Sequence, residues 1–186
     1  LPKTLKEIRD YLGSSGTPYE IIVVDDGSKD KTSEVAKSVL SGTQHLILTN
    51  EQNRGKGYCV KKGMLAASGK FILFTDADLS TPLAEYERLL APLKEGYDLA
   101  VASRGPGARV VVHQNWMRES SGRVFNAIAR RVAFEKIRDS QCGFKGFRRE
   151  AAQLLFSRQT LRRFSFDVEL LYLAQRLGLR ISQVAV

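Results

Sequence analysis

The chain has few of the residues that mark several common classes of protein. Its two cysteines, Cys59 and Cys142, lie far apart and outside any Cys-x-x-Cys spacing, so neither a disulfide framework nor a zinc site is indicated. The two histidines, His45 and His113, stand alone, and a lone histidine is more often structural than a metal ligand. No apolar stretch reaches the roughly 18 to 20 residues that cross a bilayer, and no signal peptide is recognisable. With 186 residues, one well-buried domain in a reducing compartment is the default expectation.

Positive charge is concentrated in the second part of the chain. Residues 1–103 carry 13 Lys and Arg against 14 Asp and Glu, a net charge of −1, whereas residues 104–163 carry 14 against 4, a net charge of +10. Arginine outnumbers lysine in this block, as bidentate recognition of phosphate favours. Such a block suits nucleic acid, acidic lipid headgroups or a phosphorylated substrate. The second part of the chain is therefore predicted to face an anion.

Helices and strands are predicted to alternate through the first hundred residues. Leu1, Leu5, Ile8 and Leu12 recur at helical spacing, and the β-branched run at 20–24 is typical of a strand. The later predicted elements are a helix capped by Asp30 and ending near Leu40, a strand at 45–49, a helix at 56–67, a strand at 70–75, a helix at 82–94 with Thr81 as N-cap and Pro82 as its first residue, and a strand at 97–102. Strands separated by helices imply right-handed crossovers and a mainly parallel α/β sheet, whose ligands bind beyond the carboxyl ends of the strands.

The pattern is less regular after residue 102. A loop is predicted at 105–107, an amphipathic helix at 116–134, a loop or short strand at 139–147, a helix at 166–177 and a strand at 179–186. No linker is long enough to divide the chain, so a single domain is expected.

Two carboxylates, Asp76 and Asp78, follow the apolar run at 71–75. On an extended segment, residues two apart point to the same side, and their mutual repulsion favours a cation beside them. Mg²⁺ suits such a pair because it takes carboxylate oxygens together with oxygens of substrate phosphates. A solvated acidic turn that closes a strand is the alternative reading.

Two further segments stand where a predicted strand meets a predicted helix. The carboxylates of Asp25 and Asp26 can accept hydrogen bonds from a nucleotide base or a ribose, or can simply cap an ordinary turn. The segment 53–57, Asn-Arg-Gly-Lys-Gly, places two glycines and two cations before a helix N-terminus, where phosphate is favoured. It lacks the Gly-x-x-x-x-Gly-Lys-Ser/Thr pattern of a Walker A loop, and a flexible basic turn is the alternative.

Taken in order, these segments resemble family 2 glycosyltransferases, which have the GT-A fold. The resemblance rests on Val-Asp-Asp-Gly-Ser-x-Asp-x-Thr at 24–32, Asn-x-Gly-Lys-Gly at 53–57, Thr-Asp-Ala-Asp at 75–78, Ala-Ser-Arg at 102–104, Asp-Ser-Gln-Cys-Gly-Phe-Lys at 139–145 and Phe-Asp-Val-Glu-Leu-Leu-Tyr at 166–172. The last two segments are similar to those of the branch that transfers glucose to polyprenyl phosphates. The family normally opens with a strand before the first helix, and that strand is expected to be absent here. Residues 1–103 would form the nucleotide-sugar half, and 104–186 the acceptor half.

The resemblance implies roles for individual residues on the donor side. Asp25 and Asp26 would recognise base and ribose, with Lys56 near the nucleotide. Asp76 and Asp78 would hold Mg²⁺ or Mn²⁺ against the diphosphate, with Asp78 as the more direct ligand.

On the acceptor side, the resemblance implies that Arg104 and Arg118 handle phosphate, with Arg123 as a weaker candidate and Gln141 as a further substrate-binding residue. A phosphate monoester, with a second pKa near roughly 6, is already an anionic nucleophile and needs cations instead of a base. A sugar hydroxyl needs a general base. Possible bases are Asp139, Asp167 and Glu169, although Asp167 is expected to orient an arginine.

These expectations converge on an inverting, metal-dependent transfer of a hexose, glucose from UDP-glucose, to a polyprenyl phosphate. The alternatives are GDP-mannose as donor, a carbohydrate hydroxyl as acceptor, or a catalytically silent module that binds nucleic acid. Because the basic residues fall mostly on predicted helices and loops, no nucleic acid partner is expected. The expected location is the cytoplasm, at the surface of an anionic membrane.

Overall fold

The computed structural model describes residues 1–103 and 142–186, and within these ranges helices and strands alternate. The helices are α1 (Pro2–Ser14), α2 (Thr32–Val39), α3 (Lys56–Ala66), α4 (Tyr86–Lys94), α5 (Arg149–Arg158) and α6 (Phe166–Arg176), and a 3₁₀ turn at Leu83–Glu85 precedes α4. The strands are β1 (Ile21–Asp25), β2 (His45–Thr49), β3 (Phe71–Phe74), β4 (Leu99–Ser103), β5 (Lys145–Arg148) and β6 (Ile181–Ala185). The α/β prediction is confirmed. The loop predicted at 105–107 and the helix predicted at 116–134 lie outside the described residues.

The strands form two sheets with mixed directions. β1 and β2 pair in parallel, and the second sheet has the order β3-β5-β4-β6, in which β4 and β6 are parallel. β5 runs antiparallel to both β3 and β4, so the prediction of a mainly parallel sheet is wrong for this strand. Parallel direction follows from short helical crossovers, whereas β5 is separated from β4 in sequence by more than forty residues and can enter from either end.

The second sheet is covered on both faces, and β4 lies at its centre. All five residues of β4 are buried, as is typical of a strand between two layers. Leu99 and Val101 pack with Phe147 towards α5 and α6. Ala100 and Ala102 pack against the leucines of α4 on the other face. The alternation of these side chains fixes the register of the sheet.

Three local predictions differ from the structure. Thr81 does not cap a helix: its hydroxyl lies 3.8 Å from the sulfur of Cys142, and the 3₁₀ turn intervenes before α4. Helix α5 was not predicted, and its N-terminus carries no side-chain cap that could mark it in the sequence. Asp30 is not the N-cap of α2, which is Lys31, but its carboxylate accepts a hydrogen bond from the backbone N–H of Thr32, the first residue of that helix, at 3.0 Å.

The order of the second sheet brings the two parts of the chain together. β5, from the second part, lies between β3 and β4 from the first part. Residues 142–145 are thereby placed beside the carboxyl end of β3, where Asp76 and Asp78 follow. None of the helices in the described ranges combines the length and the apolar content needed to cross a bilayer.

Candidate active site at the carboxyl ends of the strands

The carboxyl ends of β1 and β2 carry a connected group of polar side chains. The two strands are parallel, and their register pairs Ile21 with His45 at one end and Asp25 with Thr49 at the other. The polar residues at their carboxyl ends therefore lie together. The hydroxyl of Ser33 bridges them, at 2.6 Å from Asp25 Oδ2 and 3.0 Å from Thr49 Oγ1. Strand pairing therefore places Asp25 and Asp26 beside the residues that follow β2.

Asp25 is buried and holds the turn after β1. Its Oδ1 accepts a hydrogen bond from the Ser28 backbone N–H at 2.9 Å, and its Oδ2 accepts one from the Ser33 hydroxyl. Burial by itself raises the pKa of this carboxyl, but the hydrogen bonds from Ser28 and Ser33 outweigh burial and hold the pKa below its ordinary value. Asp25 is therefore ionised at neutral pH and anchors the start of α2.

Asp26 anchors the loop that precedes α3. Its Oδ1 accepts hydrogen bonds from Asn50 Nδ2 at 2.9 Å and from the Arg54 backbone N–H at 2.8 Å. Its Oδ2 accepts one from the Gly55 backbone N–H at 2.8 Å. Burial raises the pKa of Asp26, but the opposite effect of these hydrogen bonds is larger. The pKa of Asp26 therefore lies below its ordinary value. Asp25 and Asp26 thus hold different loops.

Lys56 connects the basic loop at residues 53–57 to Asp76. Its Nζ lies 2.6 Å from Asp76 Oδ1. The other oxygen of Asp76 faces Gly143, and a Cβ atom on Gly143 would overlap that carboxylate. Asp76 therefore contacts both Lys56 and the Gln-Cys-Gly-Phe-Lys segment, so three of the motifs that the sequence singles out meet at one carboxylate.

Asp78 lies in a turn and not on an extended strand. β3 ends at Phe74, and the Leu79 backbone N–H donates to the Asp76 carbonyl at 3.0 Å, with Leu79 in the left-handed region at φ 50°. The premise that Asp76 and Asp78 share one side of a strand is therefore wrong. Asp78 is exposed, and its Oδ1 accepts hydrogen bonds from the backbone N–H and the hydroxyl of Ser80.

The chemistry of these two residues fits a hard divalent cation. Asp76 and Asp78 offer carboxylate oxygens, and no group of three or more His, Cys, Asp and Glu side chains suited to a metal occurs in the described ranges. Two protein carboxylates suit Mg²⁺ or Mn²⁺, which complete their coordination with water and substrate phosphate. The donor set does not suit zinc, which prefers nitrogen and sulfur ligands.

The first turn of α3 is covered by the chain itself. The Tyr58 backbone N–H donates to the Arg162 carbonyl at 3.0 Å. Gly55 has φ 97°, and a Cβ atom at this position would lie 2.7 Å from the same carbonyl oxygen. A glycine is therefore required here both for its backbone conformation and for the close approach. Part of the helix N-terminus that was expected to favour phosphate is occupied by a backbone carbonyl.

A buried ion pair lies behind Asp76. Lys145 is fully buried, and its Nζ lies 2.6 Å from Asp167 Oδ1 and 2.5 Å from the Cys142 carbonyl oxygen. Burial raises the pKa of Asp167, while the ammonium group of Lys145 acts in the opposite direction. Within the described residues, the partner of Asp167 is thus a lysine and not the expected arginine. The pair ties α6 to the segment that contacts Asp76.

The remaining predicted site residues have different positions. Arg104, Arg118, Arg123 and Gln141, together with the possible base Asp139, lie outside the described residues. Glu169 and Asp167 have different partners: Oε1 of Glu169 accepts hydrogen bonds from Thr160 and its Oε2 accepts one from Leu161, whereas Asp167 pairs with Lys145. The residues that sequence reasoning missed are Asn50, Gly143 and Lys145. Only the last two stood in a recognised motif, and neither had an assigned role.

A family model described as Glycosyl transferase family 2 matches residues 1–156. The chain is 40% identical over 201 aligned residues to the dolichyl-phosphate beta-glucosyltransferase of Drosophila melanogaster, covering 100% of this chain and 62% of that protein. It is 37% identical to the protein of the same name from Dictyostelium discoideum, over 90% of this chain and 54% of that protein. The chain thus spans less than two thirds of the length of these relatives.

Two solved structures show the same fold. Mannosyl-3-phosphoglycerate synthase from Rubrobacter xylanophilus matches with a TM-score of 0.70 and 20% identity, over 100% of this chain and 60% of that one. The mannosyltransferase PcManGT from Pyrobaculum calidifontis, in complex with GDP-Man and Mn²⁺, matches with a TM-score of 0.61 and 15% identity, over 100% of this chain and 53% of that one. At such identities the likeness shows the fold alone, and that fold is GT-A.

The hydrogen bonds of Asp26 predict a pH-dependent stability. Because the folded pKa lies below the ordinary value of 3.8, the contribution of Asp26 is present above that value and is lost as the pH falls through the folded pKa. Asp26→Asn should lower the free energy of unfolding by about 1.5 to 3 kcal/mol at neutral pH, and by less in acid. Urea unfolding at pH 7 and pH 3 measures both values, with the exposed Glu51→Gln as control. An equal loss at both pH values would contradict the charged role of Asp26.

The buried ion pair predicts a large single-mutant effect and a small double-mutant effect. Lys145→Met leaves the Asp167 carboxylate buried without its partner, which should cost about 3 to 5 kcal/mol of stability. Adding Asp167→Val removes the uncompensated charge, and most of the loss should be recovered. Denaturant unfolding of the wild type, both single variants and the double variant measures the coupling. A double variant no more stable than Lys145→Met would show that the two charges are not coupled.

Proposed function

Because the chain belongs to glycosyl transferase family 2, we propose that it transfers glucose from UDP-glucose to a polyprenyl phosphate, with inversion at the anomeric carbon. The similarity to proteins named dolichyl-phosphate beta-glucosyltransferase, which extends along the whole chain, carries this choice of sugar and acceptor. Lys56, Asp76 and Gly143 meet at the carboxyl ends of the strands, which supports a ligand site at this edge of the sheet. In open α/β sheets this edge is where ligands bind.

On the donor side, Asp25 and Asp26 would recognise the base and ribose at the carboxyl end of β1. Asp76 and Asp78 would hold Mg²⁺ or Mn²⁺ against the diphosphate. When bound, the cation supplies neutralisation of charge on the leaving group. Lys56, whose Nζ lies 2.6 Å from Asp76 Oδ1, would place a second positive charge beside the diphosphate.

In the reaction, an oxygen of the acceptor phosphate attacks the anomeric carbon of the hexose from the face opposite the donor diphosphate. The bond from that carbon to the diphosphate oxygen breaks, and its electron pair leaves with the nucleoside diphosphate. No proton has to be removed from the acceptor, because a phosphate monoester is already anionic near neutral pH. Arg104 and Arg118 would hold that phosphate, with Arg123 and Gln141 nearby.

Two of the three possible general bases are already engaged elsewhere. Asp167 is buried in the ion pair with Lys145, and the carboxylate of Glu169 accepts the hydrogen bonds from Thr160 and Leu161. A hydroxyl acceptor needs a free base in the site. The engagement of both carboxylates therefore supports a phosphate acceptor. Since a polyprenyl phosphate is a lipid, we propose that the protein acts at a membrane surface, on the cytoplasmic face.

Mass spectrometry of the products tests the proposal directly. The protein is incubated with Mg²⁺, a short polyprenyl phosphate and either UDP-glucose or GDP-mannose. We expect the acceptor mass to rise by one hexose with UDP-glucose only, and Asp78→Asn to reduce the yield strongly. A product formed only from GDP-mannose would show that the donor is wrong. No product with either donor, together with strongly salt-dependent binding to unrelated DNA, would support the nucleic acid module instead.

A further inference from the structure

The loop between α5 and α6 exposes large apolar side chains next to arginines. In residues 160–165, called the 160–165 loop below, Phe164 is 69% exposed and Leu161 is 45% exposed. Arg162 and Arg163 lie between them and are also exposed. Covering a large apolar side chain is worth about 1.5 to 3 kcal/mol, so this loop leaves apolar surface available for a partner.

Hydrogen bonds hold the backbone of the 160–165 loop in place. The carboxylate of Glu169 accepts from the backbone N–H groups of Thr160 and Leu161, both at 2.8 Å. Gln159 Nε2 donates to the Leu161 carbonyl at 2.7 Å and to the Gly57 carbonyl at 2.9 Å. The loop therefore presents its exposed side chains from a fixed backbone, and a preorganised surface loses little conformational entropy when it binds.

We propose that the 160–165 loop inserts into the interface of a membrane with anionic lipids. Residues 158–165 contain three arginines and no Asp or Glu, a net charge of +3, which complements anionic headgroups. Apolar side chains that enter the boundary with the acyl chains, flanked by arginines at the phosphates, are the pattern of an interfacial segment. A stable protein interface takes roughly 20 to 30 residues from each partner, far more than the five exposed residues of this loop.

The loop is attached to the candidate active site. The Arg162 carbonyl accepts the N–H of Tyr58 in the first turn of α3, and Lys61 Nζ donates to the Gln159 carbonyl at 2.7 Å. The first turn of α3 also carries Lys56, which contacts Asp76. A loop seated in the headgroup layer would thus set the site beside phosphates at the membrane surface. This consequence rests on the proposed function, whereas membrane binding itself does not.

Flotation with lipid vesicles tests the insertion. The wild type should bind vesicles of phosphatidylcholine and phosphatidylserine much more tightly than vesicles of phosphatidylcholine alone. Phe164→Ser should weaken binding about tenfold, and Arg162→Gln about fivefold. Leu46→Ser and Arg176→Gln are matched controls, because they change exposed residues elsewhere and should have little effect. Wild-type protein that does not float, or Phe164→Ser that floats like the wild type, would overturn the proposal.

A fluorescence measurement shows whether residue 164 itself enters the lipid. Phe164→Trp places a reporter in the loop, and the wild type, whose one tryptophan is Trp116, supplies the background spectrum. Anionic vesicles should shift the added emission to the blue, and brominated lipids should quench it. Binding with no change in the added emission would place the membrane contact elsewhere. A reduction of self-association by Phe164→Ser, without any effect on flotation, would assign the loop to an interface between copies of the chain.

An activity measurement without a bilayer separates this inference from the proposed function. With a short, soluble polyprenyl phosphate, Phe164→Ser should retain the wild-type transfer rate, because no membrane is needed to present the acceptor. Loss of the rate in this assay would overturn a purely membrane-binding role for Phe164. If the wild type also shows no transfer while its flotation depends on Phe164, the loop inference stands and the proposed function fails.

Discussion

The contact of the Asp76 carboxylate with Lys56 and Gly143 is the interaction on which the rest of the site depends. One oxygen of Asp76 lies 2.6 Å from Lys56 Nζ, and the other faces the Cα of Gly143. The first contact brings the loop before α3 to the carboxyl end of β3. The second brings the segment before β5 to the same place, which requires β5 to lie in the sheet between β3 and β4. The antiparallel strand is therefore part of how the site is built.

The supporting carboxylates act mainly by holding backbone. Burial disfavours the ionised form of Asp25 and Asp26, but hydrogen bonds favour that form more strongly. The pKa of each carboxyl therefore lies below its ordinary value. For Asp167 the balance is reversed: burial dominates, and the pKa is raised in spite of Lys145. Such a pair contributes little net stability compared with apolar residues of similar size, but losing one partner is costly. Its role is better described as fixing the position of residues 142–145.

The sequence predicts the elements near the donor side well, because that information is local. The spacing of leucines in α1, the β-branched run of β1 and the two acidic motifs at strand ends are visible within short windows. Interactions across long sequence distances are not visible. Asp76 and Gly143 are 67 positions apart in the numbering, and nothing near Lys145 indicates that α6 supplies its partner. The turn at Asp78 is only an alternative in the sequence analysis, because a two-residue spacing fits a turn as well as a strand.

We propose that Asp76 organises a site for a metal ion and a diphosphate. Calorimetry of UDP binding, with Mg²⁺ and after chelation, tests this proposal most directly. The wild type is compared with Gly143→Ala, because the added Cβ must displace the Asp76 carboxylate. Gly13→Ala is the matched control, since a Cβ there meets only the Tyr19 hydroxyl at an ordinary distance of 3.6 Å. We expect tight binding only with Mg²⁺, a loss of affinity of about tenfold or more in Gly143→Ala, and no loss in Gly13→Ala. Equal affinity with and without metal, or a Gly143→Ala variant that binds like the wild type, would contradict it.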